Sequence, residues 1–272
     1  GEPIFHFVAC CERHAELRRD IQAGYWVCAY ANRQHELGSE INVDLEKCSF
    51  SKALRAAQGL LLVLDPNAIA FRRIWCDYEL YVNLCTDSKK LDIVTVPEEA
   101  MSKKGNIPQL LTDGLLPKES TYAKKQREMN FPIAILIAGI RVKLEEGNAS
   151  VPADKERIMQ SMSKEVEQTG LDYQTAMKTA LQRANRALNG YFAQAAWPRA
   201  LRMNAVRDFD HRHPGTLSLP DVLAKDECRR TLKLNFSQFD EVTDAELESL
   251  AEGLPPNLVS VSLCFEGCHN IS

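Results

Sequence analysis

Gly59-Leu-Leu-Leu-Val-Leu64-Asp-Pro66 decides how this 272-residue chain folds. Every position from 60 to 64 is apolar, and glycine and Asp-Pro punctuate the ends, the pattern of a parallel strand covered on both faces. Residues 49–58 read as a crossover helix stopped by Gly59, and residues 71–85 as a second helix. Two flanking runs, Tyr25-Trp-Val-Cys-Ala-Tyr30 and Leu91-Asp-Ile-Val-Thr-Val96, complete a set of strands beginning at residues 25, 60 and 91. That spacing suits strand-helix-strand units. With a helix over residues 3–17, the expected architecture is an α/β, doubly wound, mainly parallel sheet, with one more strand lying ahead of the first residue.

Beyond residue 96 the alternation breaks up. Pro97, Pro108 and Pro117, Gly105 and Gly114, and the polar stretch 118–127 read as an excursion of loops and short helices. Residues 131–146 read as a largely buried helix with Pro132 near its start. Ser150-Val-Pro152 reads as the cap of a helix to about residue 168, and Asp172 as the opening of another through residue 189. Trp197-Pro198 is expected to kink or divide the segment beyond residue 189, and residues 208–220 to form a boundary. The expected organisation is an α/β domain over 1–146, a helical linker over 147–212 and the start of a repeat array over 213–272.

Composition narrows the function classes. A hydrophobic fraction of 45% with 26% charged residues excludes wholesale disorder. A formal net charge of −4 offers no basic footprint, so no nucleic-acid partner is expected. The longest apolar run, residues 133–140, is less than half of the roughly 20 residues a spanning helix needs, so no membrane segment is expected. Nine cysteines, an odd number with no Cys-x-x-Cys pair, fit reduced thiols in a cytoplasmic protein without a metal centre. The chain opens on Gly1 and closes inside a repeat, as a fragment of a longer protein would.

That repeat is visible by aligning Leu232-Lys-Leu-Asn-Phe236-Ser-Gln-Phe239 with Val261-Ser-Leu-Cys-Phe265-Glu-Gly-Cys268, an offset of 29 residues that superposes the apolar positions. Between the copies, Thr243-Asp-Ala-Glu246 is a capping box. Leu247, Leu250, Ala251 and Leu254 line one helix face, and Gly253 with Pro255-Pro256 ends it. The unit resembles a leucine-rich repeat of the longer, helix-containing kind, with Phe239 and Cys268 near its turn position. Strand alternation puts Lys233, Asn235, Ser262 and Cys264 on the concave face, where such arrays meet a protein partner or ligand.

The segment from Phe50 through the 59–64 strand to Trp75-Cys76-x-x-Glu79-Leu80 resembles a Toll/interleukin-1 receptor (TIR) domain, a flavodoxin-like fold with a Trp-Cys-x-x-Glu-Leu helix after a buried strand. The resemblance covers about residues 1–96. It implies a self-associating signalling module, with residues 32–43 as the contact loop, and makes an intracellular signalling or scaffold protein the leading expectation, with no cofactor. Some TIR domains cleave NAD at the nicotinamide-ribose bond, and Glu79 occupies the place of their catalytic glutamate. The alternative is therefore an NAD glycohydrolase with NAD as substrate. One carboxylate can suffice, because nicotinamide departs neutral and needs no general acid, while the oxocarbenium-like ribosyl centre gains from a nearby negative charge. The plainer reading of the same residues is that Glu79 is a helix-surface carboxylate paired with Arg72 or Arg73, while Trp75 and Leu80 pack on the sheet. His211 and His213 read as residues of a solvated loop rather than metal ligands.

Overall fold

A computed structural model of the chain describes residues 3–31, 45–86, 89–97, 107–167, 170–202, 219–227, 229–237 and 242–271. They fall into two compact units, residues 1–131 with 143–185 and residues 132–142 with 186–272. The units therefore interleave along the chain, whereas the sequence pattern placed breaks at 146/147 and 212/213.

The first unit is mixed α/β. Strands β1 (Gly59–Leu64) and β2 (Lys90–Thr95) pair in parallel with Leu62 opposite Ile93, and β3 (Gln109–Leu111) adds antiparallel to β2, giving the order β1-β2-β3. Helix α1 (Ile4–Arg18) covers one face, where Cys10 and Leu17 meet Leu61, Val63, Val94 and Leu110. The alternate side chains Leu62, Leu64 and Ile93 are buried as well, as a strand covered on both sides requires. Gly59 is needed where β1 begins: a Cβ there would lie 2.5 Å from the Lys90 carbonyl oxygen.

Helix α2 (Ser49–Ala56) ends against Lys89, whose ammonium donates to the carbonyls of Leu54 at 2.9 Å and Arg55 at 2.8 Å and to that of Ala57. A lysine closing the last turn satisfies carbonyls that the helix itself leaves unpaired. Helix α3 (Ile74–Cys85) comes after a short 3₁₀ turn, Ile69–Arg72, and packs against β1 and β2. Its Tyr78 hydroxyl meets Ser161 at 3.2 Å and its Tyr81 hydroxyl donates to the Met162 carbonyl at 2.6 Å. Both partners lie on α6 (Pro152–Glu167), which comes after α4 (Thr121–Glu128) and α5 (Ile133–Arg141) in the chain.

Three expectations are revised here, in whole or in part. Residues 25–30 are not a strand; they run as irregular chain into a single helical turn, Cys28–Ala31. Side-chain anchoring overrides β-propensity there, because the Tyr25 hydroxyl is tied to α1 while Trp26 is 41% exposed. The stretch from 97 to 130, read as loops and short helices, does hold the short helix α4 but also contributes the edge strand β3, which directly follows Pro108, a place where a missing N–H is tolerated. Trp197-Pro198 does not divide the helix: α7 runs from Tyr173 to Arg202, opened by Asp172, whose carboxylate accepts from the N–H groups of Gln174 and Thr175 at 3.1 Å each.

In the second unit α5 lies against the later half of α7. Phe192 sits so close to Gly139 that a Cβ there would be 2.3 Å from its ring, and the buried Asn189 amide donates to the carbonyls of Gly139 at 2.9 Å and Val142 at 3.0 Å. Helix α8 (Leu219–Lys225) leads to β4 (Thr231–Asn235), α9 (Asp244–Glu252) and β5 (Ser260–Cys264). The two strands pair in parallel with Leu232 opposite Val261 and Leu234 opposite Leu263, the offset read from sequence. At the start of α9 the Thr243 N–H donates to Glu246 at 2.9 Å, and its hydroxyl bonds the same carboxylate, holding Glu246 below its ordinary value. Among the described residues no helix is long and apolar enough to cross a membrane.

Candidate functional site

Helix α3 presents two chemically different sides. Ile74, Asp77, Tyr78, Leu80 and Tyr81 are buried, with Leu80 fully enclosed, whereas Trp75, Cys76 and Glu79 are half-buried. Phe50 of α2 organises this region, meeting Trp75 edge-on at 5.3 Å between centroids and Tyr78 at 5.9 Å. One helical turn beyond Trp75, burial pushes the Glu79 carboxyl up to about 7, against the opposing pull of Arg73. Neither Arg72 nor Arg73 forms an ion pair with it; both guanidinium side chains are exposed. Burial and then the Glu79 charge push the Cys76 thiol up to about 12. Cys76 is therefore a protonated, inert thiol at neutral pH. Glu79 titrates where a carboxyl can change its charge in response to a cation.

A second constellation lies on the α1 side of the sheet. Asp92, on β2, accepts from Arg18 through both oxygens at 2.7 and 2.5 Å, from His14 Nε2 at 2.8 Å and from the Asp113 N–H at 2.8 Å. Burial alone would raise this carboxyl, but the bonds from His14 and Arg18 hold it down to about 2. Because a carboxylate only accepts, His14 donates through Nε2; in the neutral ring, Nδ1 is then left to accept the Tyr25 hydroxyl 2.7 Å away. The Cys11 carbonyl, at 3.2 Å, is a second acceptor for that hydroxyl. Burial, with Cys11, Asp20 and Asp92, pushes Tyr25 up to about 12, so its proton stays in place and the chain of bonds acts as a clamp rather than a nucleophile.

On the repeat, Lys233, Ser262 and Cys264 are exposed, while Leu232 and Leu234 are buried. The side chain of Asn235 lies outside the described residues, as do Phe239, residues 32–43, His211 and His213. Cys264 Sγ lies 3.2 Å from the Ser237 hydroxyl, and this bond with the Glu266 N–H lowers its thiol. Phe236 and Phe265, equivalent positions of the two copies, stack at 5.4 Å with 3° between their planes, and Cys268 Sγ donates to the Phe236 carbonyl at 3.0 Å.

Family models, curated proteins and solved structures alike return no match to this chain.

Glu79, Trp75 and Cys76 thus share one stretch of α3, while the repeat residues belong to the second unit. Asp77 and Asp92 were not among the residues that the sequence pattern marked. Asp92 had left a trace, as the one acid inside a mostly apolar strand, where burial demands partners. Its partners His14 and Arg18 lie 78 and 74 positions away, beyond any local pattern.

Proposed function

We propose that the chain is part of a signalling or scaffold protein. Its C-terminal region recognises a peptide or protein through the strand face bearing Lys233, Ser262 and Cys264, in the manner of a leucine-rich repeat, and its TIR-like α/β unit self-associates. The observation carrying this reading is the parallel β4-β5 pairing at the repeat offset, with Leu232 and Leu234 of β4 buried and Lys233 between them exposed. On β4 this alternation leaves Lys233 outward without involving the core, whereas β5 is exposed along its whole length, Val261 and Leu263 included. Panning a random peptide library against the chain, with Lys233→Glu/Ser262→Arg as counter-selection, tests it. Peptides that bind the parent and not the folded variant are expected. If every recovered peptide ignores the substitutions, this face is not the recognition surface.

A second reading is favoured by Glu79: a TIR-type NAD glycohydrolase. Its half-buried carboxyl, one turn from an aromatic ring, suits stabilisation of a cationic ribosyl centre as nicotinamide leaves. Nicotinamide release from NAD by the artificially clustered chain, abolished in Glu79→Ala, is the expected result. No release from a folded, clustered chain would leave the scaffold reading alone.

A further inference from the structure

Two residues before Glu79, Asp77 is fully buried, and neither of its carboxyl oxygens has a hydrogen-bond partner among the described residues. Gly147 provides the room for it: a Cβ there would lie 1.9 Å from Oδ2 and 3.0 Å from Ile74 N. The turn at 147–148 is joined to the start of α3 by an isolated parallel bridge between Arg73 and Asn148. Two backbone bonds form it, Asn148 N–H to Arg72 O at 2.8 Å and Ile74 N–H to Asn148 O at 3.0 Å. The rest of α3 has separate anchors in the Tyr78 and Tyr81 hydroxyls. The carboxyl therefore sits under a small, separable contact.

A carboxylate sealed in without donors is unstable as an ion, so the group keeps its proton. Burial pushes Asp77 up to about 8, with Lys155 of α6 opposing and Glu145 adding to the rise. Other charges on the surrounding elements are engaged or turned outward. Glu146 pairs with Lys143 and Asp154 with Arg157, while Arg72, Arg73, Lys52, Arg55 and Glu156 are exposed. None forms an ion pair with Asp77.

We propose that Asp77 is an acid latch: the neutral carboxyl seals the 147–148 turn onto the first turn of α3, and the carboxylate releases it, freeing the end of the helix that carries Trp75, Cys76 and Glu79. In the released turn the carboxyl meets water and returns to its ordinary value near 4. The sealed state then holds the proton more tightly, so rising pH favours release. Below about pH 4 both states are protonated and nothing changes. From about pH 5 to pH 8 the opening equilibrium grows roughly tenfold per pH unit, and above that it levels off. This behaviour depends on neither reading of the protein's function.

Amide hydrogen exchange on the whole chain between pH 5 and 9, each rate divided by its intrinsic rate at the same pH, reads the latch directly. The protection of the Ile74 and Asn148 amides should fall about tenfold per unit up to near pH 8. Amides in the later turns of α3 should hold theirs, and Asp77→Asn should flatten the profile at both bridge positions. An equal slope in Asp77→Asn overturns the proposal. If that variant does not fold, the parent decides alone: a flat profile at Ile74 and Asn148 from pH 5 to 8 overturns it as well.

Discussion

Asp92 occupies a strand whose other buried residues are apolar or β-branched, and its charge is tolerated because four donors converge on it. Its carboxyl is held near 2, below the unfolded value near 4, so its contribution to stability is present above about pH 4 and disappears as pH falls through about 2. The gap between the two values corresponds to about 2 kcal/mol. Urea unfolding should show the parent losing that amount between pH 4.5 and 2, while Asp92→Asn, already weaker at pH 7, loses less across the same interval. Equal losses in both would mean the clamp is energetically silent. Glu79 carries the opposite sign. Its raised value leaves it largely neutral below about pH 7, so under the glycohydrolase reading nicotinamide release should climb as pH passes through about 7, and Glu79→Gln should remove the climb. A profile flat from pH 6 to 8 would detach the reaction from this carboxyl.

Among the elements, those built from their own neighbours were legible. β1 follows from an unbroken apolar run with turn residues at its ends, and β2 from an apolar and β-branched run interrupted only by Asp92 within its core. α9 follows from its capping box and one-sided leucines, and the β4-β5 register from a repeat that needs no long-range information. The rest depended on distant partners. Tyr25–Tyr30 has the composition of a strand, yet its first residue is held by His14, and β3 is too short to announce itself without β2 beside it. Glu79 was visible because it belongs to a short motif, whereas the burial of Asp77 depends on Gly147, far along the chain. The closing of α2 also depends on a residue outside it. Lys89 reaches back to two of its terminal carbonyls and to that of Ala57 just beyond it, and Lys89→Met, which keeps the stem and removes the donors, should cost about 1 to 2 kcal/mol in chemical unfolding. No change would show that water replaces the ammonium at no cost.

Across the whole molecule, each unit has its own core, and the three tryptophans are divided between them. Trp26 and Trp75 belong to the first, while Trp197 belongs to the second, with the Arg229 guanidinium 4.5 Å above its ring and paired with Asp226 at 2.6 Å. Labelling with 5-fluorotryptophan therefore gives separate reporters of the two cores. Compact units with separate cores unfold as separate cooperative steps when each can lose its packing alone. Thr243→Ala removes the hydroxyl half of the α9 capping box and keeps the backbone N–H bond to Glu246; the lost cap is worth about 1 kcal/mol and should move the thermal transition of the Trp197 resonance down by several degrees while leaving Trp26 and Trp75 in place. Asp92→Asn should do the reverse. If either substitution moves all three resonances together, the interleaved chain melts as one cooperative body, and the two units are energetically one structure.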